Sequence, residues 1–173
     1  MARRLRPVEL DFIAAAPVRL EFEALVAASP QDVYRALAQE VTGWPRWFRA
    51  ITLARPTRGG AGREIRLVGG VRFRETVMAR EPGRRYSYRV DETNLPGVRA
   101  LLEDWRLTPE HGPQAGDAGP DEGGARVRWT FAADGPAAFR LALTAARPGL
   151  GQSFRGAVRA LDRRIAARGA GAR

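Results

Sequence analysis

Alternation of apolar and polar positions is the main pattern along the chain, and it predicts a sheet. From 18 to 26 apolar residues occupy every second position, with Arg19, Glu21 and Glu23 between them. Six later segments are also strand-like, at 50–54, 63–68, 71–81, 85–91, 99–109 and 125–133. Such segments are typical of strands with one face in a core and the other in water. Seven strands are therefore predicted.

A helix is predicted directly after the first strand. Ser29 occupies an N-cap position, Pro30 suits the first helical residue, and Asp32 completes a sequence that resembles a capping box. Apolar residues then recur at helical spacing, at Val33, Leu37 and Val41. We expect this helix to bury one face and to end at Gly43.

A bulky aromatic corner follows this helix. Trp44, Trp47 and Phe48 surround Pro45, ahead of the second predicted strand. We interpret the corner as a hydrophobic plug beneath a helix–helix turn, and we favour this interpretation over direct contact with a ligand.

The end of the chain is helical. Residues 136–147 form a short apolar segment, which we expect to break at Pro148–Gly149. From about Leu150 to Arg168 the pattern predicts a long amphipathic helix. Its apolar side consists of Phe154, Ala157, Val158, Leu161 and Ile165, and arginines occupy the other side, at Arg155, Arg159 and Arg163. This helix presents an apolar face long enough to cover the predicted sheet.

Two of the strands carry an acid at a position that should be buried. Glu103 lies in phase with Leu101 and Trp105, and Glu75 lies in phase with Phe73 on its own strand. An unpaired carboxylate in a dry core costs several kcal/mol. Each acid therefore either serves a cavity or is held by a structural partner such as an arginine at the rim of the sheet. The sequence leaves both interpretations open.

The turns predict where these acids lie in the sheet. Counting outward from a turn at 82–83 places Glu75 opposite Val90, and the next turn places Glu103 opposite Tyr88. The two acids would then flank the strand of Tyr88, about 10 Å or slightly more apart.

The net charge of +10 comes entirely from arginine, because all 29 basic residues are Arg. Those on strands are predicted to face outward, namely Arg19, Arg66, Arg72, Arg74, Arg89, Arg106, Arg126 and Arg128. A nucleic-acid surface would combine such arginines with exposed aromatic residues, whereas here most aromatic residues share the inward phase. We therefore predict no nucleic-acid binding.

Composition excludes several kinds of site. The chain has no cysteine, so disulfides, thiolate catalysis and cysteine-ligated metals are ruled out. The only histidine, His111, lies in a polar loop at 110–124 that we expect to be mobile, which argues against a His-activated nucleophile or a His-rich metal site. We predict neither a cofactor nor a metal.

Nothing at the start of the sequence resembles a signal peptide, and no apolar run reaches transmembrane length. We therefore predict a soluble, cytoplasmic protein. It is expected to have a single domain at 1–168 and a flexible tail at 169–173, as a monomer or a homodimer.

The order of these elements resembles a known family. The segments SPQDVYRAL, WPRWF, GREIRL and REPGRRYSYRV, followed by the closing amphipathic helix, are similar to the START/Bet v 1-like superfamily, also called SRPBCC. Within it, the chain most resembles the polyketide cyclase/dehydrase-type proteins. The resemblance extends over roughly residues 16–168 and rests on the order and spacing of the segments.

The resemblance implies an α+β helix-grip fold. A curved seven-stranded antiparallel sheet wraps around the long C-terminal helix, two short helices follow the first strand, and a ligand cavity lies between sheet and helix. The superfamily includes lipid and hormone carriers, coenzyme-Q-binding proteins and aromatase/cyclases. Because it has no universal catalytic motif, it assigns no catalytic residue to this chain.

The predicted partner is a hydrophobic, oxygen-bearing small molecule that is polyketide-, lipid- or quinone-like. The residues predicted to contact it are Phe73, Glu75, Tyr86, Tyr88, Glu103, Trp105, Trp129 and Phe131. The alternative is a cofactor-independent cyclase, dehydratase or aromatase in which Glu103, Glu75 and Tyr88 move protons. Both functions use the same residues, so the sequence leaves open whether the protein is an enzyme.

Overall fold

The computed structural model describes residues 2–110 and 123–171 of the 173-residue chain. His111 and most of the predicted polar loop at 110–124 lie outside the described residues.

One antiparallel sheet dominates the described part of the chain. Its eight strands are β1 (Arg3–Arg4), β2 (Val18–Val26), β3 (Ile51–Thr57), β4 (Gly62–Leu67), β5 (Arg72–Glu81), β6 (Arg85–Thr93), β7 (Ala100–Glu110) and β8 (Gly124–Asp134). The strands follow the order β2-β8-β7-β6-β5-β4-β3, and β1 pairs with the end of β6. All seven predicted strands are present, and the two-residue β1 is added to them.

Along the chain, helices come before β2, between β2 and β3, and after β8. Those in the described residues are α1 (Phe12–Ala15), α2 (Pro30–Tyr34), α3 (Ala137–Ala145) and α4 (Arg147–Gly171). One π-helical turn, Arg35–Gln39, continues α2, and a 3-10 helix at Val41–Arg46 leads to the aromatic corner.

The start of α2 is the predicted one, but its end is not. Ser29 is the N-cap, and its Oγ accepts a hydrogen bond from the backbone N–H of Asp32 at 3.1 Å. The expected end at Gly43 is wrong, because the backbone leaves the helical region at Glu40 and Gly43 lies inside the 3-10 helix. Burial of Trp44 explains the change: its indole N–H donates to the carbonyl of Leu37, which the helix has left without an internal partner.

Helix α4 begins earlier and ends later than predicted. The chain breaks at Ala146 and not at Pro148–Gly149, so Pro148 lies in the first turn of α4, where its missing N–H has no helical partner to lose. At the other end α4 continues to Gly171, so residues 169–171 of the predicted tail are helical. Residues 172–173 lie outside the described part.

Helix α4 covers the inner face of the sheet. Its buried residues are Phe154, Ala157, Val158 and Leu161, which match the predicted apolar side. The ring of Phe154 lies 5.9 Å from the rings of both Trp105 and Trp129 and 6.1 Å from that of Phe22. The helix is therefore held by aromatic packing against β2, β7 and β8.

Strand pairing places both acids as predicted. Glu75 is opposite Val90, and Glu103 is opposite Tyr88. The first pairing depends on a feature that the count from the turn does not include. A bulge between Val77 and Ala79 shifts the ladder by one residue, and this shift brings Glu75 into the predicted position.

The outer face of the sheet has a smaller core of its own. Ala100, Leu102 and Ala132 are buried there beneath Val8 and Phe12 of the N-terminal segment. Their outward strand phase does not bring them into water, because this segment lies across β7 and β8.

In the part of the chain that the structure describes, no helix combines the length and the apolar character needed to cross a membrane.

Candidate functional site

A cavity of about 240 Å³ lies between the sheet and the C-terminal helices. Strands β3 to β8 contribute its floor, and the junction of α3 and α4 contributes its rim. Most of its wall is apolar, including Ile65, Phe73, Trp129, Phe131, Leu143 and Leu150. Such a mostly apolar concavity with a few polar groups is the usual form of a small-molecule site.

The structure brings six of the eight predicted residues to this wall, namely Phe73, Glu75, Tyr88, Glu103, Trp129 and Phe131. Tyr86 and Trp105 are buried behind it and do not line the cavity. The ring of Tyr86 packs 5.5 Å from that of Tyr88, and Trp105 stacks on Trp129 at 5.5 Å. Both rings share the inward strand phase, but neighbouring rings stand between them and the open space.

Glu103 ends a chain of buried hydrogen bonds. Its Oε2 accepts from the hydroxyl of Tyr88 at 2.6 Å and from the indole N–H of Trp129 at 2.9 Å. The oxygen of Tyr88 in turn accepts from the indole N–H of Trp105 at 2.9 Å. The arrangement follows from strand register, because Tyr88 and Glu103 are directly paired and Trp105 is opposite Trp129. Trp105 thus acts on the cavity through Tyr88.

Glu75 forms an ion pair with Arg63, a residue that the sequence-based prediction omits. The two residues are opposite each other on β4 and β5, the Nε of Arg63 donates to Oε2 of Glu75, and each side chain is only 2% exposed. A signal for Arg63 was present in the sequence, since the residue shares a strand phase with the inward-facing Ile65 and Leu67.

Aromatic rings enclose the guanidinium of Arg63. Its central carbon lies 3.6 Å from the centre of the Tyr88 ring and 4.2 Å from that of Trp44. Such contacts stabilise a cation where water is excluded. Within residues 2–110 and 123–171, Nη1 of Arg63 is the only buried side-chain nitrogen or oxygen without a hydrogen-bond partner.

Burial raises the pKa values of both carboxyl groups. The pKa of Glu75 rises to about 7, because burial and the nearby Glu103 outweigh the opposing effect of Arg63. The pKa of Glu103 also rises, since burial outweighs its hydrogen bonds from Tyr88 and Trp129. Burial alone would lower the pKa of Arg63, but Glu75 and the tyrosine rings raise it overall, so the guanidinium stays protonated.

These residues form what we call the polar end of the cavity: Arg63, Glu75, Tyr88 and Glu103. One guanidinium faces two carboxyl groups, so full ionisation would leave one uncompensated negative charge in a buried site. The pKa of the Tyr88 phenol is raised well above its usual value, mainly by burial and by Glu103, so it remains a hydrogen-bond donor. Near neutral pH Glu75, with its pKa of about 7, is therefore able to take up or release a proton.

The aromatic corner both fills the core and reaches the cavity. Trp44 and Phe48 line the cavity, whereas Trp47 lines a separate surface groove beside α4. The interpretation of the corner as a plug agrees with the burial of all three rings. The alternative of contact with the cavity agrees with the position of two of them.

Among the described residues, no group of three or more His, Asp or Glu side chains is placed to hold a metal ion. The arrangement that the cavity offers instead is an apolar wall, two carboxyl groups with raised pKa values, one guanidinium and one phenol.

Residues 17–166 match the family described as polyketide cyclase/dehydrase and lipid transport. The sequence has no significant match among curated proteins.

Three of the solved structures that share this fold are compared with this chain by their identity, TM-score and coverage. The protein XoxI from Bacillus cereus is 17% identical, with a TM-score of 0.65 over 86% of this chain and 95% of that one. A START superfamily protein from Mycobacterium smegmatis is 12% identical, with a TM-score of 0.62 over 86% and 97%. The di-domain ARO/CYC protein BexL from the BE-7585A biosynthetic pathway is 20% identical, with a TM-score of 0.63 over 84% of this chain and 45% of that one. At these identities the similarity establishes the fold.

Proposed function

The chain belongs to the polyketide cyclase/dehydrase and lipid transport family, and from this premise we propose that it binds a hydrophobic, oxygen-bearing small molecule in the cavity between its sheet and its C-terminal helix. The observation that carries the proposal is the cavity itself, whose apolar wall ends in four polar side chains. An apolar wall stabilises a hydrophobic ligand by removing it from water, and the polar groups orient it.

The size and chemistry of the cavity narrow the class of ligand. Its volume of about 240 Å³ lies just below the usual range for small-molecule sites, which begins at about 300 Å³, so a small ligand is expected. A polyketide-, quinone- or lipid-like molecule would place its rings or chain against Phe73 and Phe131 and its oxygen atoms near Glu103. We place the entrance at the α3–α4 junction, because Ala146 there lines the cavity and is exposed.

The first test is binding of a neutral fluorescent probe, N-phenyl-1-naphthylamine. Ala146 lies on the rim and is exposed, so Ala146→Trp should obstruct the entrance without disturbing the core. We expect this variant to weaken probe binding about tenfold or more. Ala145→Trp is the matched control, because Ala145 is also exposed and does not line the cavity.

Mass spectrometry of organic extracts from the purified protein would identify a natural ligand. A hydrophobic, oxygen-bearing compound that is present with the wild type and reduced with Ala146→Trp would support the proposal. Equal binding of the probe by wild type and both variants, or no binding by any of them, would refute it.

A second candidate function is acid–base catalysis on the bound molecule. It is favoured by the position of Glu75, Glu103 and the phenol of Tyr88 on one cavity wall, where burial raises the pKa of Glu75 to about 7. A general acid or base works best when its pKa lies near the working pH. Cyclisation with loss of water is a reaction that such groups could assist.

The two functions differ in what happens to the ligand over time. A binding protein releases the compound with its mass unchanged, whereas a dehydrating cyclase releases a product that is lighter by one water. Incubation of the extracted ligand or its precursor with wild type and with Glu103→Gln, followed by mass spectrometry, separates the two. Conversion by the wild type alone would establish the enzyme.

A further inference from the structure

The polar end of the cavity has more negative than positive groups. Arg63 is the only basic residue among those described that line the cavity, whereas two acids, Glu75 and Glu103, lie on the same wall. Arg63 is already paired with Glu75. A ligand that brings another negative charge would be repelled, because the buried site has no second cation to balance it.

The polar end also has both an unused donor and an unused acceptor. Nη1 of Arg63 has no acceptor within the described chain. Both hydrogen bonds to Glu103 arrive at Oε2, from Tyr88 and Trp129, and no donor in residues 2–110 or 123–171 reaches its Oε1. A ligand group that both donates and accepts is therefore the best match for the site.

A hydroxyl is the smallest group that does both. A carboxylate or an ether oxygen only accepts, so neither offers a proton to Glu103. A phenol or an enol donates a strong hydrogen bond to a carboxylate, because the acceptor carries a charge. On the basis of the proposed function, we propose that the cavity selects neutral ligands with a phenolic or enolic hydroxyl, over carboxylates and over molecules whose oxygen only accepts.

Four probes on one ring system test this selection. They are 1-naphthol, 1-methoxynaphthalene, 1-naphthoate and naphthalene, each titrated at neutral pH as a competitor of N-phenyl-1-naphthylamine. We expect 1-naphthol to bind about tenfold more tightly than naphthalene and 1-methoxynaphthalene, as one charge-assisted hydrogen bond would give. The carboxylate 1-naphthoate should bind more weakly than naphthalene.

Glu103→Gln should remove this selection without closing the cavity. It replaces the charged acceptor by an amide, so the preference for 1-naphthol over naphthalene should fall severalfold and 1-naphthoate should gain affinity. Unchanged binding of naphthalene would show that the variant is folded. Glu92→Gln is the matched control, because Glu92 lies on the sheet but outside the cavity wall. Its preference should equal that of the wild type.

The outcomes separate this inference from the proposed function. Equal affinity for 1-naphthol and naphthalene, tightest binding of 1-naphthoate, or an unchanged preference in Glu103→Gln would overturn the selection while leaving the cavity as a binding site. Failure of all four probes and of N-phenyl-1-naphthylamine would overturn the proposed function, and the selection with it.

Discussion

Two consecutive residues of β7 carry buried carboxyl groups that point to opposite faces of the sheet. Glu103 is 7% exposed and lines the cavity, whereas Asp104 is 1% exposed and lies on the outer face. Asp104 accepts hydrogen bonds from Arg85 at 2.7 Å, from Arg106 at 2.8 Å and from Ser87. Glu103 accepts only from neutral groups, and no arginine of the described chain lies within ion-pair distance of it.

The two surroundings have opposite effects on the pKa. Burial raises the pKa of both groups, but around Asp104 the hydrogen bonds from Ser87, Arg85 and Arg106 outweigh burial and lower it. Around Glu103 burial prevails. Asp104 therefore has the contacts of a structural residue. Glu103 differs, because its Oε1 accepts no hydrogen bond from the described residues and can accept one from a ligand. Four experiments would test or refine this comparison.

The largest loss of stability is expected for Arg63→Met, which removes the one basic side chain among the described residues that line the cavity. Glu75 would then be buried without its partner, and loss of one member of a buried pair costs about 3–5 kcal/mol of stability. The loss should be largest near pH 8 and smaller near pH 5, where Glu75 is protonated. Urea unfolding at the two pH values measures it.

The double variant Arg63→Met with Glu75→Gln is the control for this prediction. Because it removes both charges, it should recover a substantial part of the stability at pH 8. A double variant no more stable than Arg63→Met would show that packing of the guanidinium between Tyr88 and Trp44, and not charge, produced the loss.

Asp104→Asn should come next, with a loss of about 2–3 kcal/mol. It weakens three hydrogen bonds and leaves the largely buried Arg85 with only the exposed Glu81, at 3.9 Å, as a charged partner. Urea unfolding measures the loss, and titration with N-phenyl-1-naphthylamine should give wild-type affinity. Wild-type stability would mean that the outer face does not depend on this acid.

The pH dependence of stability should differ between the two faces. The pKa of Asp104 is lowered in the folded protein, so its contribution is present above the unfolded value of about 3.9 and is lost as the pH falls through the folded value. The pKa of Glu75 is raised to about 7, so its contribution is present below the unfolded value and is lost as the pH rises toward 7.

Wild-type stability should therefore decrease between pH 5 and pH 7, by at most about 1.4 kcal/mol per pH unit for one proton. Glu75→Gln should flatten this slope, and Asp104→Asn should leave it unchanged while flattening the loss at more acidic pH. An unaltered slope in Glu75→Gln would assign the titration to other groups.

The smallest effect on stability is expected for Glu103→Gln, at about 1 kcal/mol or less. The amide oxygen of glutamine still accepts from Tyr88 and Trp129, so the melting temperature should be nearly that of the wild type while ligand binding weakens. If Glu103→Gln destabilised the protein as much as Asp104→Asn and left binding unchanged, Glu103 would be a structural residue as well.

Local patterns in the sequence were sufficient for the sheet, the covering helix and the inward phase of both acids, whereas the pairing of Glu75 with Val90 also depends on the bulge between Val77 and Ala79. Alternation predicts the strands because successive side chains point to opposite faces, and the cap at Ser29 is a contact between residues three apart. The pairing of Tyr88 with Glu103 follows in the same way from a short connection between neighbouring strands.

What surrounds each acid was decided by the tertiary structure. Strand phase places Glu75 and Glu103 on the inner face, but it does not reveal that Arg63 pairs with one and not with the other. Nor does it separate Trp129, on the cavity wall, from Trp105 behind it. The period of a strand determines the direction of a side chain. Its neighbours come from distant segments brought together by folding, and these neighbours set its pKa, its partners and its access to the cavity.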